Sequence, residues 1–192
     1  MGFFELITPT DTAILDFIQQ NIKCVFLDVI MVFFSYIGEI GAIWLVSAIA
    51  FMFSRKTRLM GIMVICAVTL GFLLGEIGIK NIICRPRPFV TNPDVILNIF
   101  PPLGYSCPSG HSCSSLAAAT VIFAKNKRYG IPALCVALLI VFSRLYNYVH
   151  YPSDVLFGMM LGVVSAFIII FIFNKAGLDN KLSNQRNKKK VC

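Results

Sequence analysis

Charge is scarce in this chain. Asp, Glu, Lys and Arg make up only 14% of its 192 residues, against about 25% in soluble domains. The acidic residues number 9, the histidines 2 and the tryptophans 1. Cysteine is present seven times, but the count is odd and no C-x-x-C occurs, so neither a disulfide framework nor a zinc site is suggested. Cys84 and Cys107, which flank one polar loop, are placed to pair; Cys66, Cys113 and Cys135 lie in apolar runs, where cysteine behaves as a small hydrophobe. The N-terminus MGFFELITPT has no positive region ahead of an apolar stretch, so no cleaved signal peptide is expected. No internal repeat is evident. What is abundant is apolar: 57% of the residues, with a mean hydropathy of +0.79. A soluble globular protein and a disordered chain are both excluded, and the expectation is an all-α, polytopic membrane protein.

A membrane-spanning helix needs about 20 mostly apolar residues. Val155 to Asn174 is the clearest candidate, with Asp154 just before it. Leu59 to Ile79 is broken only by Glu76. Ser109 to Ala124 and Ile131 to Ser143 are shorter, with polar groups at their motif ends. Val25 to Ser54 is apolar but carries Asp28 and Glu39, the latter between Gly38 and Gly41, so it is one interrupted span or a short piece followed by a span from about residue 40. Thr10 to Cys24 places Ile14, Phe17, Ile18 and Ile22 at helical spacing, with Thr10 or Asp11 as cap. This reads as an amphipathic helix on the membrane surface.

The predicted organisation is therefore an interfacial segment (1–24), a membrane domain of five or six transmembrane helices (25–174) and a basic tail (175–192). The linkers Arg55-Lys56-Thr57-Arg58 and Lys125-Asn126-Lys127-Arg128 and the lysine-rich tail are cytoplasmic by the positive-inside rule. Five spans would put the N-terminus outside; a sixth, through Asp28, would put it inside. In either case residues 80–108 and the turn 147–154 face the opposite side, and there Lys80, Arg85 and Arg87 break the topology rule. A positive charge on the wrong side suggests a local task.

Three clusters fall on that face. The first is Lys80-Asn81-Ile82-Ile83-Cys84-Arg85-Pro86-Arg87-Pro88. Glu76 precedes Lys80 by one turn in the favoured Glu-to-Lys order. Arg-Pro-Arg-Pro forces an extended path, and guanidinium groups beside an ammonium suit a phosphate clamp. A membrane-anchoring basic loop is the plainer alternative. The second cluster, Cys107-Pro108-Ser109-Gly110-His111-Ser112, opens an apolar helix. Its free N–H groups suit phosphate oxygens, Gly110 allows close approach, Ser109 adds a hydroxyl, and His111 stands over the same place; simple N-capping by Ser109 is compatible with all of this. The third, Ser143-Arg144-x5-His150-Tyr151-Pro152-Ser153-Asp154, offers a third cation and a histidine with a carboxylate four residues on, spaced to accept its ring N–H. A structural Tyr/His/Asp cluster is the alternative.

Together these motifs resemble those of the type 2 phosphatidic acid phosphatases, whose pattern is K-x6-RP, PSGH and SR-x5-H-x3-D. All three occur in order: Lys80 with Arg87-Pro88, Pro108 to His111, and Ser143-Arg144 with His150 and Asp154. The resemblance covers residues 59 to 174. Cys107 and Tyr148 stand where the family often has an aromatic residue and a glycine, and neither is a catalytic position. The resemblance implies a phosphohistidine mechanism. His150 is the nucleophile, Asp154 its orienting carboxylate, and His111 the acid and then the base. Lys80, Arg87, Ser109, Gly110 and Arg144 hold the phosphoryl oxygens. No metal and no cofactor is implied, and no nucleic-acid partner. Size and family analogy suggest undecaprenyl diphosphate as substrate, entering from the bilayer on the extracytoplasmic face. Phosphatidylglycerol phosphate, phosphatidic acid and lipid A are the alternatives within enzymes. A non-catalytic lipid-binding protein is the alternative outside them, although it should have lost His150, Asp154 or an arginine.

Overall fold

The computed structural model describes residues 3–177, and among them the chain is helical with no strands. The helices are α1 (Phe3–Asn21), α2 (Val25–Ile37), α3 (Ala42–Phe53), α4 (Arg58–Phe72), α5 (Lys80–Ile83), α6 (Pro88–Thr91), α7 (Gly110–Lys125), α8 (Lys127–Tyr146) and α9 (Pro152–Lys175). A π-helical segment, Leu73–Ile79, joins α4 to α5 without a break. The basic tail beyond residue 177 lies outside the described residues.

The core forms around α7. Its middle is a run of small residues, Ala117, Ala118 and Ala119, all fully buried. Helix α7 packs on α9, α8 and α4 at once, and small side chains permit this because they let backbones approach closely. The α7–α9 contact shows the principle at two glycines. A Cβ on Gly162 would run into the carbonyl oxygen of Cys113, and one on Gly158 into that of Ser109. Trp44, on α3, closes the side of this core and hydrogen-bonds Ser115 on α7 through its indole N–H (3.0 Å).

Three stretches are long and apolar enough to cross a membrane: residues 58–91, Lys127–Tyr146 and Pro152–Lys175. Helices α2 and α3, bent by 50° at Gly38–Gly41, make a fourth if taken as one broken span. Helix α7 has 16 residues, about 24 Å at 1.5 Å per residue, which is short of a hydrocarbon core of about 30 Å. Length and composition therefore license three or four spans, where the sequence pattern suggests five or six.

The N-terminal helix starts at Phe3, not at Thr10, and runs through Pro9. Asp11 does not cap it; it lies mid-helix and is buried in an ion pair. The expected apolar stripe is divided. Leu15 and Ile18 are buried against Tyr148, Tyr151 and Tyr146, while Leu6, Ile14 and Phe17 point outward. Asp28, the charge inside α2, accepts hydrogen bonds from Tyr146 (2.9 Å) and Asn98 (2.7 Å), which satisfies a carboxylate in an apolar helix. Cys84 and Cys107 do not pair: both are free, the first exposed and the second buried.

Candidate active site

Four helix ends meet at one end of the bundle. The chain rises along α4 to Lys80, returns to start α7 at Gly110, ends α8 beyond Arg144, and starts α9 at Pro152. The basic linkers lie at the other ends of the same helices, where Lys125 and Asn174 hydrogen-bond each other (3.3 Å). This is why motifs separated by some 70 residues in sequence share one site.

A cavity of about 540 Å³ occupies this end, and Lys80, Arg87, Gly110, His111, Arg144 and His150 all line it. Six of the eight residues singled out from the sequence thus share one space. Apolar side chains line it as well, among them Leu45, Val68, Phe72 and Leu103. Ser109 and Asp154 are fully buried and do not line the cavity. Ser109 caps α7, its hydroxyl oxygen accepting from the Ser112 N–H and also from the Ser112 hydroxyl at 3.0 Å.

His150 is buried, and its two nitrogens have distinct partners. Nδ1 lies 2.8 Å from the Ser106 carbonyl. A carbonyl only accepts, so Nδ1 carries the hydrogen and Nε2 presents its lone pair. Arg87 reaches to within 3.2 Å of that Nε2, and also donates to the Val149 carbonyl (3.1 Å). Burial first, then the positive charge of Arg87, Arg144 and Lys80, holds the imidazole well below its ordinary range. A neutral ring is favoured, a form whose Nε2 lone pair can act as a base or a nucleophile.

Asp154 does not take the role that its spacing suggested. Its Oδ2 is 3.9 Å from His150 Nδ1, beyond hydrogen-bonding reach. The physical reason is its place in the first turn of α9, where a carboxylate reaches back to the helix start. Oδ2 accepts from the Tyr151 N–H (2.9 Å) and from the Ser106 hydroxyl, and Oδ1 from Arg85 (2.6 Å). Asp154 thus reaches His150 through Ser106, whose hydroxyl it binds and whose carbonyl holds the ring.

Arg85 also departs from expectation. It turns away from the cavity and bridges Asp154 and Asp11 (2.8 Å), with further bonds to Ser153 (2.7 Å) and Thr8 (2.9 Å). Its guanidinium stacks over the Tyr151 ring at 3.9 Å. The network ties α1 to the turn that carries His150. Lys80 pairs with both Glu76 oxygens at 2.8 Å, as the i,i+4 spacing predicts. Glu76 belongs to the π-helical segment, a feature that recurs at functional sites. Burial pushes the Cys107 thiol up to about 12, so this residue is a neutral packing group.

Sequence reasoning missed the partners supplied by α2 and by the bend after it. The Ser35 hydroxyl accepts from Arg144, and the Ser35 carbonyl lies 3.2 Å from His111 Nε2. Glu39 comes within 3.5 Å of the same nitrogen. The available signal was the polar interruption Gly38-Glu39-Ile40-Gly41 in an otherwise apolar run. Ser106 gave no local signal at all, and Asp11 only that of a helix cap. Arg144 Nε is buried with no hydrogen-bond partner among the described residues, on a guanidinium that lines the cavity. Such a group calls for an acceptor.

Comparison with known proteins agrees with the motifs. A family profile described as the PAP2 superfamily matches residues 57–178. An undecaprenyl-diphosphatase of Sulfolobus acidocaldarius is 35% identical over 145 residues, covering 74% of this chain and 69% of that protein. The undecaprenyl-diphosphatase BcrC of Bacillus subtilis is 31% identical over 150 residues, covering 74% and 72%. The crystal structure of Aquifex aeolicus LpxE superposes with a TM-score of 0.71 at 28% identity, covering 83% of this chain and 93% of that one.

Proposed function

The chain belongs to the PAP2 superfamily of lipid phosphatases, and from that premise we propose that it hydrolyses undecaprenyl diphosphate to undecaprenyl phosphate on the extracytoplasmic face of the cell membrane, through a phosphohistidine. The observation that carries this reading is the shared cavity. Three cations, two histidines and the start of α7 face one space that is also lined by apolar side chains. A lipid phosphate likewise combines a charged group with hydrocarbon.

His150 Nε2 forms the bond to phosphorus while the bond from phosphorus to the leaving oxygen breaks. The Ser106 carbonyl, held in turn by Asp154, keeps the ring in the reactive tautomer. His111 protonates the leaving oxygen. Water then attacks phosphorus, His111 takes its proton, and the bond from phosphorus to Nε2 breaks. Lys80, Arg87, Arg144 and the Gly110 N–H stabilise charge on the phosphoryl oxygens, for which preorganised donors are well suited. A phosphoryl oxygen would also satisfy Arg144 Nε. Ser109 contributes by capping the helix that presents Gly110 and His111. No step needs a metal ion.

The reading of the topology rests on charge. The linkers at the end remote from the cavity are basic, which supports a cytoplasmic position for that end and an outer one for the cavity. Names of the relatives favour the diphosphate over the glycerolipid phosphates. The test is phosphate release by purified protein in detergent from undecaprenyl diphosphate, phosphatidylglycerol phosphate and phosphatidic acid, with His150→Ala as the blank. Preference for the diphosphate with no release by the variant is expected. Preference for a glycerolipid phosphate would overturn the substrate, and full activity of His150→Ala would overturn the mechanism.

A further inference from the structure

The acid–base histidine has a carboxylate partner of its own, and it comes from outside the segment matched by the family profile. We propose that Glu39 is a positioning and charge-balancing residue for His111, an assignment that rests on the phosphohistidine reading above. The break between α2 and α3 brings it there. Helix α2 ends at Ile37, and a Cβ on the next residue, Gly38, would come within 2.7 Å of Ile140 and 3.0 Å of His111, so glycine lets the break lie this close to the imidazole. Glu39 follows. Ile40 and Gly41 then take φ values of 51° and 70°, two left-handed residues in succession. Glycine adopts this region freely, but for a β-branched isoleucine it is a strained conformation. Strain of this kind gathers where a side chain has to be aimed. Here the bend aims Glu39 into the cavity, which it lines together with His111.

The contacts fix the division of labour on the ring. The Ser35 carbonyl, 3.2 Å from Nε2, can only accept, so Nε2 carries a hydrogen. The Glu39 carboxylate stands 3.5 Å from that same nitrogen. Nδ1 is therefore the nitrogen that exchanges a proton. In the first step the proton on Nδ1 passes to the leaving oxygen as the phosphorus–oxygen bond breaks, and His111 goes from imidazolium to neutral. In the second, the proton from water returns to Nδ1 as oxygen bonds to phosphorus. Arg144 lines the same cavity and adds positive charge beside the ring, and Glu39 is the anion that offsets it. This is the service a triad carboxylate gives its histidine, provided here to the acid and not to the nucleophile.

The test uses phosphate monoesters of graded leaving-group acidity, namely octyl, phenyl and 4-nitrophenyl phosphate, on the full-length protein in detergent. An octyloxide needs a proton from His111; a 4-nitrophenolate hardly does. Glu39→Gln keeps size and hydrogen bonding while removing charge. It is expected to lower kcat/KM for octyl phosphate about tenfold while leaving 4-nitrophenyl phosphate within about twofold, since general-acid assistance scales with the basicity of the leaving group. Glu39→Asp should recover part of the loss. An equal loss across the series, or none, would overturn the proposal, because a residue that only supports the fold does not discriminate leaving groups. His111→Ala separates this from the mechanism itself. If it steepens the dependence and Glu39→Gln does not, Glu39 has no such role. If neither does, His111 is not the acid, and the reading beneath falls with the proposal.

Discussion

Removing Arg85 should be among the most damaging single changes in the molecule, although Arg85 does not touch the cavity. Its side chain is 4% exposed, and the carboxylates it joins, Asp11 and Asp154, are 7% and 0% exposed. Four hydrogen bonds leave the guanidinium, at 2.6, 2.7, 2.8 and 2.9 Å. Arg85→Met preserves much of the volume but strands two buried carboxylates. Breaking a buried ion pair by deleting one partner costs about 3–5 kcal/mol. At about 2–4 °C per kcal/mol for a chain of this size, the melting temperature should fall by about 6–20 °C. A thiol-reactive dye suits the measurement in a background that keeps Cys107 and Cys113 as the only cysteines, because both are buried until the bundle opens. Adding Asp11→Asn to Arg85→Met removes one stranded carboxylate and should restore at least about 1 kcal/mol, a coupling that a double-mutant cycle reads directly. A shift of less than about 2 °C for Arg85→Met, or purely additive effects, would refute the network as a stabilising element.

The other expectations concern packing, topology and pH. Gly162→Ala should destabilise by about 1–3 kcal/mol through overpacking, since the added methyl meets the Cys113 backbone; an unchanged melting curve would deny the tight α7–α9 contact. Cys84 is exposed and free at the cavity end, so a variant keeping it as the single cysteine should react with an impermeant maleimide on intact cells. Labelling only after lysis would reverse the topology. Because the folded state holds His150 neutral below its ordinary range, the unfolded chain binds a proton below about pH 6.5 that the folded chain refuses. This group contributes no slope above that pH and a loss of stability below it. His150→Gln should therefore lose less melting temperature than the native protein between about pH 7 and pH 5; parallel curves would contradict the neutral assignment.

Much of the site was legible in the sequence because its elements are local. Ser109 and Gly110 open a helix by capping and by lack of a side chain, and the Arg-Pro-Arg-Pro run is extended by its own stereochemistry. The Glu76–Lys80 pair follows from helix geometry alone. The apolar runs likewise specify helices that belong in a bilayer, since a hydrocarbon solvent leaves backbone groups little other choice. What the chain could not reveal locally is which partner each polar group takes. His150 and Asp154 have suitable spacing, but the turn geometry gives the ring to the Ser106 carbonyl and the carboxylate to Arg85. Arg85 and Arg87 are two residues apart and read alike, yet one faces the cavity and the other the N-terminal helix. Asp11, Ser35 and Glu39 reach the site from segments about 70 to 140 residues away from the groups they bind. Hydrophobic pattern and capping chemistry act within a few residues and are written in order along the chain. The pairing of buried charges depends on which helix faces are pressed together, and only the packed bundle determines that.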